Sequence, residues 1–78
     1  MEISALAECI VKTLVNYPEQ VVVRETKGIS TTILELEVHK ADIGKVIGKK
    51  GVTITALRNI LSAAAAKERR RIILELTE

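Results

Sequence analysis

The chain has 78 residues, and its hydrophobic share of 47% is almost entirely aliphatic, so we expect one small domain over residues 1–78 with a single core. With one cysteine (Cys9) and one histidine (His39), it has no internal disulfide and too few ligands for a Cys/His zinc site, so we expect neither metal nor cofactor. The sequence shows no signal peptide and no apolar run of the ~18 residues that a bilayer requires, which predicts a cytoplasmic protein without membrane contact.

The basic residues are concentrated in one part of the chain, although the formal net charge is only +2. From position 39 to position 58, a single acid, Asp42, stands among five basic residues: Lys40, Lys45, Lys49, Lys50 and Arg58. A second basic group, KERRR, occupies positions 67–71. Such clustering favours a polyanionic partner, although a solvated basic face has the same pattern.

The first half of the chain predicts one helix followed by two strands. Apolar residues recur at helical spacing over Ile3–Tyr17, and Pro18 is expected to end this helix. Val21–Glu25 is rich in β-branched residues and predicts a strand. After a turn at Lys27-Gly28, Thr31–Val38 alternates in the way expected of a strand with one buried and one wet face. The face predicted to be buried carries Thr32, Leu34, Leu36 and Val38.

The second half predicts two helices and a last strand. A short helix is expected at Ala41–Ile47, and Gly48–Gly51 breaks it. A longer helix follows at Val52–Lys67, and the last strand lies at Arg70–Leu76. The residues expected to face the core are Ile54, Leu57, Leu61 and Ala64 on the helix, and Ile72, Leu74 and Leu76 on the strand.

The resulting order, α-β-β-α-α-β, predicts an α+β fold. The first two strands are close enough in sequence to form an antiparallel hairpin. The two-helix segment before the third strand can act as a right-handed crossover, which makes the second and third strands parallel. We therefore expect a three-stranded mixed sheet with three helices on one face.

The break between the two later helices, Gly48-Lys49-Lys50-Gly51, has the composition of a phosphate-binding loop. Glycine at both ends permits a sharp turn and lets a sugar-phosphate backbone approach closely. The helix that begins at Val52 directs N–H groups and the positive end of its dipole towards the loop. An ordinary solvated turn is the competing interpretation, since short glycine motifs occur by chance.

Other glycine motifs and one other nucleic-acid-binding fold do not fit. A P-loop has four residues between its first glycine and its Gly-Lys pair, whereas three residues separate Gly44 from Gly48, and Lys49 is followed by lysine. No G-x-G-x-x-G of a Rossmann fold is present. An RRM requires aromatic residues on its strands, and Tyr17 is the only Phe, Trp or Tyr of the chain.

The segment DIGKVIGKKG at positions 42–51, followed by Thr53, Ala56-Leu57-Arg58 and Ala63-Ala64-Ala65, resembles the small stand-alone bacterial KH proteins of the KhpA type. The resemblance covers nearly the whole chain, including the helix before Pro18. It implies a type II KH fold, with RNA in a cleft between the GxxG loop, its flanking helices and the last strand. The chain departs from the family at Val52 and Thr55, where a basic residue is frequent.

We accordingly expect single-stranded RNA as the partner. The expected contact residues are Ile43, Lys45, Ile47, Gly48, Lys49, Lys50, Gly51, Ile54, Arg58, Arg70 and Arg71. The isoleucines flank the loop and are expected to line a groove for bases, and the two C-terminal arginines begin the strand that bounds the cleft. The resemblance also implies a homodimer, or a pair with a larger KH/Jag-type protein. It further implies a role as a post-transcriptional regulator or RNA chaperone linked to cell elongation.

Catalysis and a small-molecule substrate are not expected. Glu35, Glu37 and Glu75 are predicted on the wet sheet face, where carboxylates more often maintain solubility and protect strand edges than act as an acid–base pair. The main alternative is a KH-fold protein-interaction module with weak or no RNA binding, which uses apolar residues such as Val52 and Ile73. RNA binding through phosphates weakens steeply with salt, whereas an apolar protein contact does not.

Overall fold

The structure, a computed structural model, describes residues 2–77 and has the element order that the sequence predicts. Short 3-10 turns lie between several of the helices and strands. The main elements are α1 (Ile3–Leu14), β1 (Val22–Lys27), β2 (Thr31–Glu37), α2 (Ile43–Ile47), α3 (Val52–Ala66) and β3 (Arg71–Thr77). The predicted α+β class is confirmed.

The sheet has the strand order β1-β2-β3 and is mixed, as predicted. β1 and β2 are antiparallel, and the turn between them is closed by the Gly28 N–H, which donates to Thr31 O at 2.7 Å. β2 and β3 are parallel, with Leu36 opposite Leu76. Parallel strands need a long connection, which α2 and α3 provide. The carboxyl ends of β2 and β3 therefore lie side by side, close to the segment that leads into α2.

The core lies between one face of the sheet and the three helices. Along β2 and the residue after it, Thr32, Leu34, Leu36 and Val38 are buried, as the alternation predicts, and the residues between them are only half-buried. The helices contribute to the same cluster the buried residues Ala7, Val11, Val46, Ile54, Leu57 and Leu61. Because all three helices share this cluster, the opposite face of the sheet stays open to solvent.

The helix α1 is shorter than predicted, because it ends at Leu14 rather than Tyr17. The backbone N–H groups of Asn16 and Tyr17 donate to the two carboxylate oxygens of the fully buried Asp42, at 3.1 and 2.9 Å, instead of to helix carbonyls. The residue before a proline also avoids helical backbone angles. A side chain from the start of α2 thus sets the end of α1.

The remaining differences from the prediction are small shifts. Each of the strands β1 and β3 begins one residue later than predicted, and a 3-10 turn at Lys40–Asp42 precedes α2. The buried stripe of α3 ends at Ala65 rather than the predicted Ala64, since positions 54, 57, 61 and 65 follow the 3.6-residue period. No helix within residues 2–77 is long and apolar enough to cross a membrane.

Candidate nucleic-acid interface

The Gly48–Gly51 segment, which we call the GKKG loop, forms a tight turn between α2 and α3. Three of its residues have positive φ angles: Gly48 at 77°, Lys50 at 55° and Gly51 at 76°. The Gly48 N–H donates to Gly44 O at 2.9 Å, and the Gly51 N–H donates to Gly48 O at 3.1 Å. The break predicted between the two helices is therefore confirmed.

The two glycines of the loop are required for different reasons. At Gly48, a Cβ atom would lie 2.7 Å from Thr53 Cβ and 2.8 Å from Thr53 N, so no side chain fits. At Gly51 the nearest atom to a Cβ would be Ile54 Cγ2 at 4.0 Å, so only the backbone angle favours glycine. A Cβ on Gly44, one turn earlier in α2, would have nothing within 4 Å.

Lys49 and Lys50 are exposed at the tip of the GKKG loop. Neither pairs with a carboxylate of residues 2–77, whereas Lys12 and Lys27 each have a glutamate partner. The backbone N–H groups of Lys49 and Lys50 also make no backbone hydrogen bond within the described range. The tip thus offers two ammonium groups and two N–H donors to an anionic ligand.

An open groove of about 420 Å³ lies beside the loop, between α2, α3 and the end of β3. Its lining consists of Ile43, Ile47, Ile54, Arg58 and Leu76. The two residues from each helix are four positions apart, and that spacing places them on the same side of the helix. The groove is therefore mostly apolar and carries one positive charge, a combination that suits flat bases on an anionic backbone.

Arg58 is held at the wall of this groove by the strand β3. Its Nη2 donates to Leu74 O at 3.3 Å. A guanidinium group has five N–H donors, and no other acceptor within residues 2–77 binds those of Arg58. The remaining donors are therefore available to a ligand in the groove.

Leu76 belongs to the groove although sequence reasoning assigned it only to the core. The alternation along β3 points Leu76 inward, and the residue is half-buried. Because β3 is an edge strand, an inward residue near its end lies at the border of the core and also forms a wall of the groove. Local alternation indicates which way Leu76 points, but the strand order is needed to show that no further strand of the described residues lies beyond β3.

Three of the predicted contact residues belong neither to the GKKG loop nor to the lining of the groove. Lys45 is exposed on α2, but it is two positions from both Ile43 and Ile47 and therefore lies on another side of the helix. Arg71 is the first residue of β3, about 16 Å along the strand from Leu76. Arg70 lies at the same distant end.

Arg70 connects the end of α3 to the β1–β2 hairpin. Its side chain donates to Gly28 O at 2.8 Å, Thr31 O at 3.0 Å, Ile29 O at 3.2 Å and Thr32 Oγ1 at 2.9 Å. These acceptors occupy all three nitrogens of the guanidinium group. Arg70 is thus a structural contact of the hairpin, and the structure does not place its charge at the cleft.

The open face of the sheet differs from the groove in its charge. Glu35 lies opposite Glu75 in the parallel register, and Glu37 is paired with Arg24 at 3.0 Å. No three His, Cys, Asp or Glu side chains in the described part of the chain are placed to hold a metal ion. The sheet face thus mixes carboxylates with Arg24 and Arg71, while the exposed charges of the GKKG loop and the groove are all positive.

The comparisons with known proteins identify a family. The family model "KhpA/KhpB, KH domain" matches residues 4–76. The chain is 48% identical to RNA-binding protein KhpA of Chlamydia trachomatis over 69 residues, which cover 88% of each chain. The protein of that name from Clostridium acetobutylicum is 46% identical, over 91% of this chain and 95% of its own length. The one from Borreliella burgdorferi is 44% identical, over 94% of this chain and 89% of its own length. No solved structure gives a significant match. Because the family model spans all but the ends of the sequence, the chain belongs to the KhpA/KhpB KH-domain family.

Proposed function

We propose that the protein binds single-stranded RNA through the GKKG loop and the adjoining groove. The observation that carries this proposal is the position of two exposed lysines, which form no ion pair within residues 2–77, beside an open apolar groove. The phosphates of an unpaired strand supply the negative charge, and its unstacked bases supply apolar faces. The names of the relatives, which are RNA-binding proteins, support the same ligand.

In the proposed complex, the loop contacts phosphates and the groove contacts bases. Neither Gly48 nor Gly51 has a side chain that would keep the RNA backbone at a distance. A GxxG loop clamps about four nucleotides, so we expect a footprint of that size for each domain. Aliphatic walls accept every base, which favours weak sequence preference. We expect Arg58 to donate hydrogen bonds to base edges, because it lines the groove and has free N–H donors.

Reversal of the loop charge tests this proposal. The double substitution Lys49→Asp/Lys50→Asp is expected to abolish binding of a short single-stranded RNA, because it places carboxylates where phosphates should lie. The fold should persist, since both side chains are exposed. Fluorescence anisotropy measures the affinity, and circular dichroism measures the fold.

The matched control is Lys12→Asp/Lys27→Asp, which changes the net charge by the same amount on α1 and β1. The surface ion pairs that it removes contribute little to stability. If the folded loop variant bound RNA as tightly as this control, the proposed site would be incorrect.

A second candidate function, a protein-interaction module, is favoured by the exposed side of α3. The helical spacing of Val52, Ala56, Ile60 and Ala63 places these exposed residues along one side, and Val52 and Ile60 are 66% and 49% exposed. We propose that this side mediates a homodimer or a pair with a larger KH/Jag-type protein. Pairing would strengthen a weak RNA site, because the second contact becomes intramolecular.

The cellular role that we propose is post-transcriptional regulation or RNA chaperoning in the cytoplasm, linked to cell elongation. Its support is the membership of the KhpA/KhpB family together with the character of the groove. A small site that clamps the RNA backbone and accepts every base suits a protein that acts on many RNAs. A tight and sequence-specific binder would need more base contacts than this groove provides.

A further inference from the structure

The aromatic residue Tyr17 is stacked on His39 outside the GKKG loop and the groove. The ring centroids are 4.0 Å apart, and the ring planes are 19° from parallel. Tyr17 remains 41% exposed and His39 is half-buried, so the tyrosine side of the pair is in part open to solvent. A stacked pair with an open side can accept a further ring.

Hydrogen bonds fix the backbone and the orientation of this pair. The Tyr17 N–H donates to Asp42 Oδ2 at 2.9 Å, and the Ala41 N–H donates to His39 Nδ1 at 2.9 Å. Because Nδ1 accepts, the neutral imidazole carries its proton on Nε2. Neither that nitrogen nor the Tyr17 hydroxyl has a hydrogen-bond partner within residues 2–77. The pair is therefore preorganised and has two polar groups free for a ligand.

The pair lies at the start of the helical segment that borders the groove. Asp42, which binds the Tyr17 N–H, directly precedes Ile43, which lines the groove. The 3-10 turn and α2 together span about 14 Å from His39 to Ile47. Lys40 is exposed directly after His39 and adds positive charge there. An RNA that leaves the groove at its Ile43 end thus meets a basic residue and an aromatic pair.

We propose that Tyr17 and His39 form a stacking platform for a nucleobase of the RNA, beyond the nucleotides held by the loop and groove. This inference rests on the proposed function, since the platform serves the same RNA. A Tyr17 ring that only covered the end of α1 would be buried against it, whereas Tyr17 is 41% exposed. The groove offers aliphatic surfaces only, so the platform adds a kind of contact that the groove lacks.

The first test compares two RNAs and two substitutions. Tyr17→Leu removes the aromatic face but keeps an apolar side chain, whereas Tyr17→Trp keeps an aromatic face. The strength of base–aromatic stacking implies that Tyr17→Leu weakens binding of an RNA of about eight nucleotides roughly five- to 150-fold. An RNA of about four nucleotides fills only the loop and groove, so its affinity should not change. The Tyr17→Trp variant should bind both RNAs like the wild type.

The second test observes stacking directly by NMR. Tyr17 and His39 are the only residues with aromatic side chains, so a ¹³C-labelled protein has just two sets of aromatic ring signals. The ring current of a stacked base should shift the Tyr17 signals when the longer RNA is added. The shorter RNA should leave them in place.

The outcomes separate the platform from the loop. If the wild type and Lys49→Asp/Lys50→Asp bind RNA equally, the proposed function fails. If the loop variant loses RNA while Tyr17→Leu binds the longer RNA like the wild type, only the platform is overturned. The platform is also overturned if Tyr17→Leu weakens both RNAs equally, since that result indicates a distorted groove.

Discussion

Gly48 and Gly51 have backbone conformations that side chains tolerate to different degrees. Gly48 combines φ 77° with ψ 171°, a region that is essentially restricted to glycine, and Thr53 already occupies the space of its Cβ. Gly51 has φ 76° and ψ 14°, a left-handed conformation that Asn and Asp adopt more readily than other residues. Substitutions at these two positions can therefore separate damage to the fold from damage to RNA binding.

Alanine substitutions at three glycines should give a graded series of stabilities. We expect Gly48→Ala to lower the free energy of unfolding by roughly 2–3 kcal/mol and Gly51→Ala by about 1 kcal/mol. Gly44→Ala should raise it by about 0.5–1 kcal/mol, because alanine favours helix and a Cβ there meets no neighbour. Urea unfolding measures all three, and equal losses at the three positions would contradict the described loop geometry.

The RNA affinity of related variants completes this test. Gly51→Asp should stay folded and lose RNA, because its carboxylate would lie where a phosphate is expected. Gly44→Ala is the control and should bind RNA like the wild type. If Gly44→Ala weakened RNA binding as much as Gly51→Asp in equally folded proteins, the loop would not be the contact that we propose.

At the scale of elements, the sequence predicted what depends on neighbours a few positions apart. The alternation along β2 and the 3.6-residue period of α3 identified their buried faces, and the glycines identified the break before α3. The end of α1 and the position of Arg70 were not predictable, because they depend on hydrogen bonds between residues 25 to 42 positions apart. The stack of Tyr17 on His39 was not predictable either, because it is a contact between residues far apart in the sequence.

Asp42 joins the end of α1 to the start of α2, so its loss should destabilise both. Asp42→Ala leaves the N–H groups of Asn16 and Tyr17 without their acceptors and should cost roughly 2–3 kcal/mol. For a domain of this size, that cost corresponds to a fall in Tm of about 10–20 °C. Asp42→Asn keeps one acceptor oxygen and should lose roughly half as much. Thermal unfolding followed by circular dichroism measures both variants, and an unchanged Tm for Asp42→Ala would show that the buried carboxylate is dispensable.

Over the whole molecule, charge and shape divide the surface into distinct regions. The open sheet face carries Glu35, Glu37 and Glu75, whereas the exposed charges at the loop and groove are those of Lys49, Lys50 and Arg58. Arg24 and Arg71 lie on the same sheet face as these carboxylates, so positive charge without nearby acids is offered to a polyanion at the loop and groove rather than at the sheet. The exposed side of α3 carries apolar residues instead, which suits association with another protein.

These regions should respond differently to salt. An RNA held by two or three phosphate contacts should show an affinity that falls with a slope of about −1.4 to −2 in a plot of log K against log salt, since each contact to a single strand contributes about −0.7. Replacing one loop lysine, for example by Lys49→Gln, should reduce the magnitude of this slope by about 0.7.

Self-association through α3 should be nearly constant over the same range of salt concentration, because apolar contacts release no counterions. Anisotropy titrations and sedimentation between about 50 and 200 mM salt measure the two processes on one sample. If Lys49→Gln left the slope unchanged, the phosphates would lie elsewhere on the protein. If self-association weakened as steeply with salt as RNA binding, charged groups rather than the apolar side of α3 would hold the two copies together.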